Sequence, residues 1–229
     1  MDEKLMFDSS TATEYDRGIR RTLPTYDGLI RLASSALRLQ ADEHAHVLLV
    51  GAGGGNELME FAEIHPGWTF TAADPSEPML IQAAQKASGL ASGRVKFVLG
   101  SAADVQADEP ADAAACLLVL HFIEGMEAKR QLLADIRARL KTGAPFVIAS
   151  MAGAADSAEL DAQFALWRQH WLDRTSLNAE QGAEMEKGIR ALSFLPKEEI
   201  EQLLSDAGFG GITPFFQTTF FHGWLCVAV

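Results

Sequence analysis

The sequence predicts a doubly wound α/β fold, a mostly parallel sheet with helices on both faces, closed by a C-terminal antiparallel hairpin and carrying a helical lid insertion. Three observations support it. An apolar run at 47–50 ends on Gly51-Ala52-Gly53-Gly54-Gly55 and gives way to helical spacing through Leu58, Phe61 and Ala62. The same order of strand, turn and helix then repeats along the first two-thirds of the chain, which is the pattern of a parallel sheet. Finally, 229 residues of 48% hydrophobic composition supply the core of a single domain spanning 1–229.

Taken in order, residues 1–42 precede the first strand and are expected to turn helical after Pro24. Strands are predicted at 68–73, 95–99 and 113–120, with a helix at 75–88 between the first two. Leu132, Leu133, Ile136 and Leu140 share one helical face, and Gly143 falls where a C-cap is expected. A β-rich run follows at 145–150. Residues 152–192 then read as a long helical insertion in which Leu160, Phe164, Trp167 and Trp171 recur at spacings of four, three and four, one face of one helix. With 1–42 it forms the expected lid. Pro196 opens a helix that ends at Ala207-Gly208. The tail, 212–229, alternates aromatic and polar residues around Phe221-His222-Gly223, the signature of a closing hairpin.

Composition narrows the partners. With 19 Lys+Arg against 31 Asp+Glu the net charge is −12, so the field of the whole chain opposes nucleic acid and anionic membranes. The longest apolar run, 113–120, is far short of the ~18 residues a membrane span needs. The charged start Met1-Asp2-Glu3-Lys4 leads into no apolar segment, and a cytoplasmic protein is expected. Cys116 and Cys226 lie in apolar runs without CxxC or Cys/His spacing, which predicts reduced, packed thiols and no metal centre.

A glycine-rich turn between a first buried strand and a helix lets backbone approach a ligand closely. The dinucleotide pattern GxGxxG closes in neither register, since Asn56 and Leu58 occupy its last position, and no phosphate-binding GxxxxGK[ST] is present. The pattern present is GxGxG at Gly51, Gly53 and Gly55. Asp74 follows nineteen positions after Gly55, at the end of the second strand, where a carboxylate accepts both ribose hydroxyls of a nucleoside.

At these residues the chain resembles the Rossmann-like S-adenosylmethionine-dependent methyltransferases. Residues 47–55 look like their first motif and Ala73-Asp74-Pro75-Ser76-Glu77-Pro78-Met79-Leu80 like their ribose-binding segment. Leu120-His121-Phe122, Lys141-Thr142-Gly143-Ala144 and 204–209 are also similar to that class. Within it, Tyr15-Asp16-Arg17, 19–26 and Phe215-Phe216-Gln217 resemble the carboxy-S-adenosylmethionine synthases of tRNA wobble-uridine modification. The resemblance implies that S-adenosylmethionine or S-adenosylhomocysteine is held by Tyr26, Gly51, Ala52, Gly53, Gly55, Asp74, Pro75, Ser101, Ala102 and Leu117. Four positions depart from the pattern: Leu49 and Ser101 where acidic residues are usual, Leu117 where an asparagine is, and Met185 where the synthases place an arginine for the extra carboxylate, Arg190 being nearby.

Methyl transfer to a small aromatic or heterocyclic acceptor is the expected activity, with Tyr15, Arg21, Trp167 and Trp171 as acceptor-binding candidates. His121, after the fourth strand, is the candidate general base or substrate orienter. Each has a plainer reading: helix packing for the tryptophans, a packed or capping histidine for His121, surface ion pairing for Arg21. Two other functions stay open, modification of the cofactor itself and a non-catalytic cofactor-binding module. The insertion and the terminal hairpin offer a face for a homodimer.

Overall fold

The computed structural model describes residues 18–106 and 109–229. Its seven strands form one sheet in the order β3-β2-β1-β4-β5-β7-β6. β1 (His46–Val50), β2 (Thr69–Asp74), β3 (Val95–Leu99), β4 (Ala113–Leu117) and β5 (Pro145–Met151) run parallel, while β7 (Phe221–Ala228) lies antiparallel to β5 and pairs outward with β6 (Phe209–Thr218). The chain winds outward from β1 to β2 and β3, then returns to place β4 on the other side of β1. That reversal opens a crevice at the carboxyl ends of β1 and β4, where doubly wound sheets bind ligands.

Each strand serves two cores because alternate side chains leave opposite faces. Val47 and Leu49 pack with α1 (Tyr26–Arg38), α2 (Asn56–Ile64) and α5 (Ala158–Arg174), while Leu48 and Val50 pack with α4 (Met126–Ala138) and α7 (Lys197–Asp206). Burial on both faces explains why residues 47–50, β4 and residues 145–149 read as unbroken apolar runs. α3 (Glu77–Lys86) joins β2 to β3, and Ser76 caps it by accepting from Met79 N–H.

Four details differ from the sequence reading. The 113–120 run stops being strand at Leu117, because Leu118 takes a left-handed conformation (φ 60°) and Leu120–Phe122 forms a 3₁₀ turn. Gly143 does not cap α4, which ends at Ala138. Its φ of 87° instead turns the chain into β5, and its N–H donates to Ala228 O. The insertion is two helices, α5 and α6 (Ala179–Arg190), split by a capping box in which Asn178 and Gln181 satisfy each other's N–H groups. The hairpin turns at Thr219-Phe220, immediately before Phe221-His222-Gly223, which opens β7.

The aromatic stripe of α5 faces inward. Leu160, Phe164, Trp167 and Trp171 are all buried, and the Phe164 ring stacks 4.3 Å from that of Phe220 at the hairpin turn. Trp167 Nε1 donates to Thr22 O at 2.8 Å and ties the helix to the N-terminal segment. Trp167→Phe removes that bond and leaves a gap in the core, so urea denaturation should show a loss of about 2–4 kcal/mol. An unchanged midpoint would mean that the stripe contributes little to the core.

Edge strand β6 carries Pro214 and two register shifts, between Gly210 and Thr213 and between Pro214 and Phe216. Among the described residues no helix is long and apolar enough to cross a membrane.

Candidate functional site

The glycine turn after β1 is shaped by three residues of positive φ, Gly51 at 68°, Gly53 at 50° and Gly55 at 80°. Gly51 and Ala52 N–H groups donate to Ala73 O, which draws the turn against the end of β2. Two of these glycines are also needed for space. A Cβ on Gly51 would overlap Val119 Cγ2, and one on Gly55 would lie 2.9 Å from Ala83 Cβ. Val119 therefore stands directly over the first glycine, carried there by the Leu118 turn.

Asp74 closes the same corner. One carboxylate oxygen accepts from Gly53 N–H at 2.8 Å and the other from Ser76 N–H at 2.8 Å, so the side chain fixes both the glycine turn and the start of α3. Burial pushes its pKa up, and those two backbone hydrogen bonds pull it down in part. Since its native pKa lies above the unfolded value, its contribution to stability declines as pH rises through that interval. The charged form is thus held at a net cost, and each oxygen keeps a further lone pair for a hydroxyl donor.

Tyr26, Gly51, Gly53, Asn56, Glu57 and Leu117 line a cavity of about 20 Å³ at this corner. Lys86 Nζ donates to Asn56 Oδ1 at 2.8 Å and Asn56 Nδ2 to Tyr26 Oη at 3.2 Å, linking α3, α2 and α1 around it. Glu57, 8% exposed in the first turn of α2, brings a carboxylate to the cavity wall, and after burial it is the second cause holding the Cys116 thiol up at about 12. Sequence reasoning missed Asn56, Glu57 and Lys86. An acidic residue in the first turn of a helix is common, and only the proximity of Glu57 to Cys116 of β4 distinguishes it.

The structure thus brings Tyr26, Gly51, Ala52, Gly53, Gly55, Asp74 and Leu117 to one corner. Pro75 is exposed immediately after Asp74. Ala102 is buried, and Ser101 is exposed and donates to Asp104 Oδ2 within a capping box. Asp104, three positions on, supplies the carboxylate that Ser101 lacks, and its pKa is lowered chiefly by the hydrogen bonds from Ser101. The glycine turn with its buried, two-lone-pair carboxylate fits a nucleoside diol, and the exposed Ser101–Asp104 turn extends the same edge of the sheet.

His121 is buried among β5 residues. Met151 N–H donates to its Nδ1 at 3.2 Å, which leaves the ring hydrogen on Nε2. Burial, with the Lys129 ammonium nearby, pushes its pKa down to about 3. Trp167 has spent its N–H on Thr22, whereas Trp171 Nε1 is buried with no acceptor among the described residues. Arg21 is exposed, and Tyr15 lies outside the described residues. Arg190 sits 4.0 Å over the Phe164 ring and ion-pairs with Asp161 and Glu186, while Met185 packs against the core.

Gly51→Ala combines a strained φ with a clash against Val119, and should cost about 2 kcal/mol or more in thermal stability. Adding Val119→Ala should relieve the clash and leave the strain. Equal melting temperatures for the single and double variants would show that Val119 does not press on this turn.

Comparison with known proteins gives a consistent result. Residues 48–146 match a family model described as a methyltransferase domain. Over 228 residues the chain is 23% identical to the carboxy-S-adenosyl-L-methionine synthase of Desulfotalea psychrophila, covering 98% of this chain and 92% of that protein. Among solved structures it is similar to an O-methyltransferase family protein from Burkholderia thailandensis (TM-score 0.70, 16% identity, 96% of this chain and 60% of that one). It is also similar to human N-acetylserotonin methyltransferase in complex with SAM (TM-score 0.63, 16% identity, 96% and 56%). These likenesses establish the fold, and the chain spans 60% or less of the length of those two structures.

Proposed function

We propose that this chain is an S-adenosylmethionine-dependent methyltransferase that transfers a methyl group to a small, largely apolar acceptor beneath the helical lid formed by 152–192 and the N-terminal segment, a reading supported by the domain match over 48–146 and by the fold. The observation that carries the reading is the Asp74 carboxylate, locked beside the Gly51–Gly55 turn at the end of β2. S-adenosylmethionine supplies, when bound, an electrophilic methyl on a sulfonium. The chain's own residues have the simpler task of binding, aligning and excluding water. Asp74 receives the ribose diol, the glycine turn allows close backbone approach, and the Ser101–Asp104 turn borders the base.

His121 in this reading orients the wall of the cleft. A ring whose Nδ1 is spent and whose pKa is about 3 is poorly matched to proton abstraction at neutral pH. The acceptor is proposed to carry an aromatic or heterocyclic ring with an accepting atom, which would meet the buried Trp171 N–H. The synthase reading draws support from the Desulfotalea psychrophila relative, but Met185 brings no charge and Arg190 is already paired. Plain cofactor is therefore preferred over its carboxylated form, and with a net charge of −12 the acceptor is taken to be a small molecule instead of a nucleic acid.

Calorimetry with S-adenosylhomocysteine tests the cofactor, and its release from S-adenosylmethionine over a panel of phenols and N-heterocycles tests the acceptor. Asp74→Ala should weaken cofactor binding by about 1.5–3 kcal/mol, or roughly 10- to 150-fold. Wild-type affinity in that variant would put the diol elsewhere. Trp171→Phe should raise the acceptor KM several-fold with cofactor affinity unchanged, and an unaltered KM would return Trp171 to a packing role. Tighter binding of carboxylated cofactor in competition would restore the synthase reading.

A further inference from the structure

Lys129, on α4, is 1% exposed, the rarest environment for a lysine. Its three ammonium protons all go to backbone carbonyls: Leu120 O at 2.7 Å, Ile123 O at 2.6 Å and Ser193 O at 3.1 Å. The first two belong to the turn that follows β4, and the third to the segment leaving α6. The link is reciprocal, because Ser193 N–H donates to His121 O at 3.0 Å. One residue upstream of Leu120, Val119 stands over Gly51, and Leu117 lines the cavity at the glycine turn. A single buried cation therefore joins the wall of the cofactor corner to the end of the helical insertion.

We propose that Lys129 is a positioning residue that latches the insertion to the cofactor wall, so that ordering one orders the other. This rests on the cofactor reading above. Removing the ammonium takes a donor from three carbonyls at the place where α4, the His121 turn and the insertion meet; Leu120 O keeps the Ile123 N–H, while the partly buried Ile123 O and Ser193 O lose the bond that joins them. A cofactor held at the corner that Leu117 lines would act on the insertion through that node.

Hydrogen–deuterium exchange of the full chain, with and without S-adenosylhomocysteine, tests this. In the wild type the ligand should slow exchange in peptides covering 48–58 and, in the same titration, in peptides covering 190–196. In Lys129→Met the first effect should remain and the second vanish. Protection at 190–196 that persists in the variant, or is missing from the wild type while 48–58 is protected, overturns the latch. No protection at 48–58 in the wild type would instead sink the cofactor reading.

Should Lys129→Met fail to fold, wild-type exchange without ligand decides. Burial pushes Lys129 down to about 8 and Glu124 opposes the shift, with His121 the other titratable group against it. An opening that hydrates the ammonium takes up a proton, so it becomes harder as pH rises above 8, by up to about tenfold per unit. After correction for intrinsic exchange rates, protection of 118–125 and 190–196 should rise together from pH 8 to 9.5. Unequal profiles, in which one segment changes its protection without the other, would show that the two do not open together and would overturn the latch.

Discussion

The corner of this protein is organised by one carboxylate that must be buried and charged at once. Asp74 accepts the N–H of Gly53 on one side and of Ser76 on the other, and so ties the turn after β1 to the helix after β2. Both segments lean on it: three residues of the turn take positive φ, and while the Gly51 and Ala52 N–H groups reach Ala73 O, the Gly53 N–H is taken up by the Asp74 carboxylate. The parallel pairing of Val50 with Ala73 brings the two ends together, and Asp74 then fixes them at hydrogen-bond distance. A group that closes a turn in this way is pre-organised for a ligand, since its orientation is set before the ligand arrives.

A second constraint meets the first from across the crevice. Leu118 leaves the strand in a left-handed conformation, which turns Val119 over Gly51 and sends His121 into the space behind β5. The wall of the corner is thus built from backbone conformation as much as from side-chain choice. Its polar requirements are met by unusual donors, a buried lysine for the carbonyls and a backbone N–H for the histidine ring.

Much of this was legible in the residues, for physical reasons that also explain what was not. Strands β1, β2, β4 and β5 could be read because burial on both faces leaves short, mostly apolar runs, β3 because Lys96 alone interrupts its apolar residues, and the glycine turn because only glycine tolerates its conformation. The Trp167 and Trp171 stripe was readable as one helical face, but a face is all that periodicity gives. That it points at Phe220 depends on a hairpin far away in the chain. Glu57, Asn56 and Lys86 carry no spacing signal because two separate helices, α2 and α3, bring them together. Leu118 was taken as strand because a leucine gives no warning of a left-handed residue. Ser101 seemed to leave the edge of the sheet without a carboxylate, and Asp104 returns one from the next turn of backbone.

Pro214 and the two register shifts in β6 have a bearing on how copies of the chain meet. Proline presents no N–H to a neighbouring strand, and each shift breaks the regular spacing that a new strand would have to match. At the opposite margin β3 is only five residues long and carries Lys96. Both ends of the sheet are thereby poor templates for adding a strand, which disfavours fibre growth by continuous β-pairing. Any pairing of two copies through the terminal hairpin would have to use the side-chain faces of β6, leaving its backbone edge to water.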